Sequence, residues 1–119
     1  MRVNLISEKF FSLLGLCQKA GKLVSGGMLC ENTIRSGRAQ LIIISQEASE
    51  ATVDKFSGLS RTYQVDMMIA GTREQLGGAI GKFSRTILVI LDKAFREMLL
   101  REQNEILHGG ENDGKNKSI

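Results

Sequence analysis

Histidine and cysteine, on which most metal centres and many nucleophilic mechanisms depend, are almost missing from this chain. Its 119 residues include one histidine and two cysteines. His108 stands beside a polar tail with no partner near it in sequence, which argues against hydrolytic and metal roles. Cys17 and Cys30 belong to no CxxC and no Cys/His cluster. Both fall in segments of helical periodicity, so they are expected to be buried, reduced and inert. Thirteen carboxylates are present, but they are scattered, and none pairs at a spacing that would drive two pKa values apart. Long apolar runs are missing too. None approaches the roughly 18 to 20 residues that span a bilayer, and Met1-Arg2-Val3-Asn4-Leu5-Ile6-Ser7-Glu8 has no signal-peptide core. The expectation is a cytoplasmic protein, away from membranes, with its thiols reduced.

Nucleotide loops are missing as well. A phosphate-binding loop requires G-x-x-x-x-G-K-[ST]. Gly21 and Gly26 have the glycine spacing, but Gly27 and Met28 stand where the lysine and the hydroxyl belong. Gly77 and Gly81 precede Lys82 but lie one residue too close, and Phe83 follows. No G-x-G-x-x-G follows a strand, which removes a dinucleotide site. No catalytic residue, metal or cofactor is expected, and the chain does not read as an enzyme.

The length suits one domain, and 42% hydrophobic with 24% charged residues is an ordinary globular balance, sufficient for a core without staples. The net charge is only +3, but its position is informative. Between Gly15 and Arg38 the charges are Lys19, Lys22, Arg35 and Arg38 against Glu31, so this one stretch matches the whole balance. A local basic zone is what counterion release from a phosphate backbone needs.

Phe10, Leu13, Leu14 and Cys17 follow helical spacing and predict a first helix from about Ser7 to Ala20, stopped by Gly21. After a short segment Lys22-Leu23-Val24-Ser25, Gly26-Gly27 opens a second helix to about Ser36. Leu41-Ile42-Ile43-Ile44 reads as a strand covered on both faces. A helix over Ser49–Ser60 and a strand over Val65–Ala70 follow. Thr72-Arg73-Glu74-Gln75 is a capping box, and Leu76, Ala79 and Ile80 bury one side of a short helix ended by Gly81. Thr86 to Leu91 makes the last strand, and Asp92 caps a helix carrying Phe95, Met98, Leu99 and Ile106. Alternating helices and fully apolar strands predict an α/β fold, a three-layer α/β/α sandwich with a small mixed sheet. One domain over residues 1–108 is expected, with 109–119 a disordered tail that has too little apolar surface to offset its ordering entropy.

Two surfaces remain as candidates. Gly26-Gly27 at a helix start would leave backbone N–H groups aimed outward, a ready anion site, with Lys22 and Ser25 beside it; the alternative is that Gly26 only makes a tight strand-to-helix turn. With Cys30 at the centre of the buried face, Ile34 and Gly37 share that face, and Met28, Asn32 and Arg35 lie opposite. The second surface is Ile80-Gly81-Lys82-Phe83-Ser84-Arg85. Lys82 and Arg85 would meet phosphates there, and Phe83 either stacks on a splayed base or folds inward as core.

The ordered blocks Gly21-Lys22-Leu23-Val24-Ser25-Gly26, Ile34 through Ile44, Gln46-Glu47-Ala48-Ser49 and Leu76 through Arg85 resemble the ribosomal protein L-seven-Ae and L-thirty-e superfamily. They are most similar to its small bacterial branch called YlxQ-like. The resemblance covers about Phe10 to Leu99. It implies an α/β/α sandwich and binding of kink-turn or kink-loop RNA between the second helix and the loop before the last strand. By position, Lys22, Ser25 and Gly26 match the basic approach to that helix, Glu47 the acidic residue after the first long strand, and Ile80 to Arg85 the specificity loop. Members that bind kink-turns read sheared G·A pairs with Asn-Glu and, three residues after the Glu, Lys. This chain carries Met28, Leu29 and Asn32 there, a departure that bears on kink-turn recognition and not on the fold.

The expected function is non-catalytic binding of structured RNA, ribosomal RNA included, through Lys22, Ser25, Gly26, Gly27, Met28, Leu29, Asn32, Arg35, Glu47 and Ile80 to Arg85. The setting would be a ribosomal or ribosome-associated ribonucleoprotein, where a protein partner is also a candidate. The alternative is a protein–protein interaction module on the same scaffold, with Met28 and Leu29 docking a partner. Salt dependence separates the two, because phosphate binding weakens steeply with salt and apolar docking does not.

Overall fold

The computed structural model describes residues 7–110, with side chains described for 7–103. In order the elements are α1 (Glu8–Lys19), β1 (Leu23–Ser25), α2 (Gly27–Arg35), β2 (Leu41–Ile44), α3 (Glu50–Tyr63), β3 (Met67–Ile69), α4 (Arg73–Ala79), β4 (Ile87–Ile90) and α5 (Lys93–Gly110). The sheet has the order β1-β4-β2-β3. β4 pairs antiparallel with both β1 and β2, and β3 pairs parallel with β2, so the sheet is mixed as expected.

Strand alternation divides the apolar runs between two cores. Leu41, Ile43, Leu88 and Ile90 point to one face and pack with Phe10, Leu14, Cys17, Leu76 and Leu99 from α1, α4 and α5. Ile42, Ile44, Ile87 and Val89 point to the other and pack with Cys30, Ile34, Phe56 and Leu59 from α2 and α3. A period of two on a sheet covered on both sides makes an unbroken apolar run the correct pattern. The three layers are therefore α1/α4/α5, the sheet, and α2/α3.

Local chemistry sets most helix starts. The hydroxyls of Ser7 and Ser49 accept from the N–H groups of Phe10 and Thr52, each at 3.1 Å. Thr72 and Gln75 form the expected capping box, and Asp92 Oδ2 accepts from Phe95 N–H at 2.9 Å. α3 outruns its expected end at Ser60 to reach Tyr63, and stops when Gln64 turns left-handed at φ 55°. β3 is shorter than the expected Val65–Ala70. Gly37, expected on the buried face of α2, lies beyond that helix and is exposed. The reason is local: Gly37 N–H donates to Ile34 O and Arg38 N–H to Thr33 O, closing the helix just before it. α5 includes residues 109 and 110, where the tail was expected to begin; 111–119 lie outside the described residues.

Both cysteines are fully buried, one in each core, and neither is in a disulfide. The Cys17 thiol donates to Lys22 O at 3.2 Å, and Cys30 lies 3.6 Å from Val24 O. Burial pushes both thiols from an ordinary 9.0 up to about 12; at Cys17 the Asp92 carboxylate adds to this and Lys22 opposes it. Native protein at neutral pH should therefore resist a bulky thiol reagent at both sites until denaturant is added, and fast native labelling of either would contradict their burial. Between pH 9.0 and about 12 the unfolded chain loses thiol protons that the folded chain keeps. These two groups should thus make folding stability fall as pH rises through that window, and be silent below it.

Candidate functional site

Sheet pairing gathers four connections at one end of the molecule. Ser25, the last residue of β1, lies opposite Leu88, and Gly26 N–H donates to Ile87 O at 3.2 Å. Ile44, the last of β2, lies opposite Ile87, and Ser45 N–H donates to Thr86 O at 2.8 Å. Ala70 N–H donates to Ile44 O at 3.0 Å, which brings the exit of β3 to the same place. The β1–α2 turn, the segment after β2 carrying Glu47, the start of α4 and the α4–β4 loop are neighbours for this reason.

α2 differs from α1, α3 and α4 in having no side-chain cap. Its N-cap is Gly26 at φ 95°, a backbone angle that side chains rarely tolerate, so the turn reading of this glycine holds. The anion-site reading is compatible with it, because the first-turn N–H groups at 27–29 have no side chain to satisfy them. Met28 is 80% exposed and Leu29 50%, with Asn32 and Arg35 also exposed, while Cys30, Thr33 and Ile34 are buried. The outward face is the one periodicity assigned. Arg35 is not free on it: Glu31 Oε2 accepts from its Nε at 2.9 Å, and Glu31 Oε1 lies 2.7 Å from Lys55 Nζ on α3. The hydrogen bonds from Lys55 and Arg35 hold the Glu31 carboxyl below its ordinary value.

The α4–β4 loop turns back over its own helix. Gly81 N–H donates to Gly78 O and Lys82 N–H to Gly77 O, and Arg85 N–H donates to Arg73 O at 3.0 Å. Phe83 is 88% exposed, which removes the alternative that it folds into the core. Ile80, included in the expected contact surface, is instead 5% exposed, packed in the α1/α4/α5 core where it anchors the start of the loop. Lys82 is exposed and has no ion pair among the described residues. Arg85 is half-buried, and its Nε donates to Ser25 Oγ at 3.0 Å.

Glu47 joins this end through Arg73, whose backbone N–H donates to Glu47 Oε1 at 3.0 Å and whose Nε lies 3.5 Å from the same oxygen. A shallow cavity of about 320 Å³ is lined by Glu47, Thr72, Arg73, Glu74, Phe83 and Ser84. Arg35, the last residue of α2, lies about 12 Å from Gly27 at helical rise and is not brought to this end. Nor is Lys22. It precedes β1, Leu23 lies opposite Ile90, and Leu91 N–H donates to Lys22 O. The whole of β1, roughly 10 Å at strand rise, separates it from Gly26. Arg73 carries no short-range signal for the site, since it reaches it through Glu47, 26 residues away along the chain; Lys55 meets only Glu31 on α2. No group of three or more metal-ligating side chains occurs among the described residues.

A model of the "Ribosomal protein L7Ae/L30e/S12e/Gadd45 family" matches residues 8–99. The chain belongs to this family. It is 35% identical over 92 residues to the RNA-binding protein YlxQ of Bacillus subtilis (strain 168), covering 77% of this chain and 92% of that one. The RNA-binding protein YlxQ of Enterococcus faecium is 29% identical over 102 residues, covering 86% and 94%. Among solved structures, a protein of unknown function from Bacillus halodurans C superposes with a TM-score of 0.79 at 31% identity, covering 82% of this chain and 99% of that one. The 15.5kD RNA binding protein of Giardia lamblia superposes at 0.70 with 15% identity, covering 88% and 93%, a likeness of fold. The YlxQ-like branch and the α/β/α sandwich expected from the sequence are both borne out.

The turn of the loop over α4 depends on one close approach. A Cβ on Gly77 would sit 2.5 Å from Ser84 Cα, and that neighbour is backbone. Gly77→Ala should therefore destabilise the fold by about 1 to 3 kcal/mol, the usual cost of overpacking. Gly78→Ala meets nothing within 4 Å and, lying in α4, should leave the fold slightly more stable, by about 0.4 to 1 kcal/mol. Denaturant midpoints of the two variants check this, and equal midpoints would refute it.

Proposed function

We propose that this protein is a non-catalytic binder of structured RNA, taking a kink-turn or related bent internal loop. The observation that carries the reading is the juxtaposition, at one sheet end, of the uncapped start of α2 with the exposed Lys82-Phe83 of the α4–β4 loop. Unsatisfied N–H groups and an unpaired ammonium suit phosphate oxygens, and an exposed aromatic suits a base that has left its stack. The family, and relatives that are themselves named RNA-binding, support a non-catalytic protein with an RNA partner. Ribosomal RNA, a protein partner within the same ribonucleoprotein, and a cytoplasmic setting complete the reading.

Met28 and Leu29 limit what this surface can read. A base edge is recognised by donors and acceptors, and these two side chains offer neither. Recognition would rest on backbone shape, phosphates and stacking. The same exposed Met28, Leu29 and Phe83 favour a second reading, in which they dock a protein.

Affinity should be measured for a standard kink-turn RNA and for the same duplex with the kink replaced by paired bases, across a salt series. The expected result is preference for the kinked RNA and a steep fall with salt. Lys82→Gln should lower the salt slope by about one counterion, and Lys22→Gln, at the far end of β1, should be nearly silent. Binding that is flat with salt would favour the protein-docking reading.

The combined change Met28→Asn, Leu29→Glu and Asn32→Lys should strengthen kink-turn binding. All three positions are exposed, so the new polar groups stay solvated in the free protein. Base-specific pairs are worth about 1 to 3 kcal/mol each, so a gain of about tenfold or more is expected. A folded variant with no gain would count against this surface as an RNA reader.

A further inference from the structure

We infer that Arg85 is a positioning residue, whose guanidinium pins the α4–β4 loop to the start of α2 and thereby fixes the spacing of the two halves of the site. Its Nε donates to Ser25 Oγ at 3.0 Å, although the two residues are sixty apart in sequence. Its Nη1 donates to Ser84 O at 2.7 Å, and its backbone N–H donates to Arg73 O at 3.0 Å. Ser25 immediately precedes Gly26, the N-cap of α2. One residue therefore holds the approach to α2, the middle of the loop and the first turn of α4. Through Arg73 the chain of contacts continues to Glu47 after β2.

The choice of arginine follows from geometry. Its planar fork directs Nε and Nη1 at two fixed acceptors together, which an ammonium on a flexible stem does not reproduce. Both side-chain acceptors are neutral, so the bonds orient the group without cancelling its charge. Half-burial adds to the restraint. Lys82, three residues earlier, is the contrast: exposed, with no ion pair among the described residues.

The consequence for RNA rests on the function proposed above, but the pin itself is a property of the free protein. Two readouts separate them. In RNA-free protein, hydrogen exchange at the amides of Gly26, Lys82 and Arg85, all bonded, reports opening of the two segments. Arg85→Lys and Ser25→Ala should each speed exchange in both segments by about tenfold, the loss expected for one hydrogen bond to a charged group. With a standard kink-turn RNA as probe, both variants should lose about tenfold in affinity, the double variant no more than Arg85→Lys alone, and the salt slope should stay that of the parent. A simple phosphate contact behaves differently. Arg85→Lys would then keep both affinity and slow exchange, Ser25→Ala would be silent, and Arg85→Gln would lower the slope by about one counterion. That pattern would overturn the inference. Faster exchange in both segments of a protein that binds no kink-turn RNA would uphold the pin and refute the RNA reading.

Discussion

The placement of β4 between β1 and β2 is the constraint on which the rest of the molecule depends. The strand is four apolar residues, Ile87 to Ile90, all buried and antiparallel to both neighbours. Being antiparallel to both, it begins where the other two end. Its side chains alternate between the two cores, so a slip of one residue would exchange Leu88 and Ile90 with Ile87 and Val89 and misplace every helix packed on them. The same slip would carry Thr86 and Arg85 away from Ser45 and Ser25. Register is thus held by burial on two faces at once, and the geometry of the site is inherited from it.

Most cations around α2 and at the site end of the sheet are engaged, Lys55 with Glu31 among them. The arginines are engaged: Arg35 with Glu31, Arg73 with Glu47, Arg85 with Ser25 and Ser84. Lys82 keeps its charge in solvent. A guanidinium can hold several acceptors in fixed directions, whereas an ammonium on a long stem is a mobile point charge. Part of the basic character read from the sequence therefore organises the surface, and the charge left for a phosphate backbone is smaller than a count of cations suggests.

α2 shows how a functional surface departs from local optimisation. α1, α3 and α4 start on a hydroxyl cap, and α5 has the Asp92 carboxylate at its first turn. α2 starts on a glycine and presents methionine and leucine to solvent. An uncapped terminus and exposed apolar side chains both carry a cost in the isolated chain, and both are relieved when a ligand covers them. The helix is held by Cys30 and Ile34 in the α2/α3 core, which leaves its outward face unconstrained by packing.

The sequence by itself determined the elements, because the signals for them lie within a few residues. Spacing of Phe10, Leu13, Leu14 and Cys17 defined α1, the pair Thr72 and Gln75 defined the start of α4, and Leu41 to Ile44 read directly as a doubly covered strand. The outward face of α2 was legible for the same reason. Only the tertiary structure decided which ends meet. It turned Phe83 out and Ile80 in, although the two are three residues apart in one loop. It set Lys22 at the opposite end of β1 from Gly26, and it joined Arg85 to Ser25 and Arg73 to Glu47. Periodicity is a short-range quantity, whereas strand order and direction emerge from pairing across the whole chain, and no window of sequence contains them.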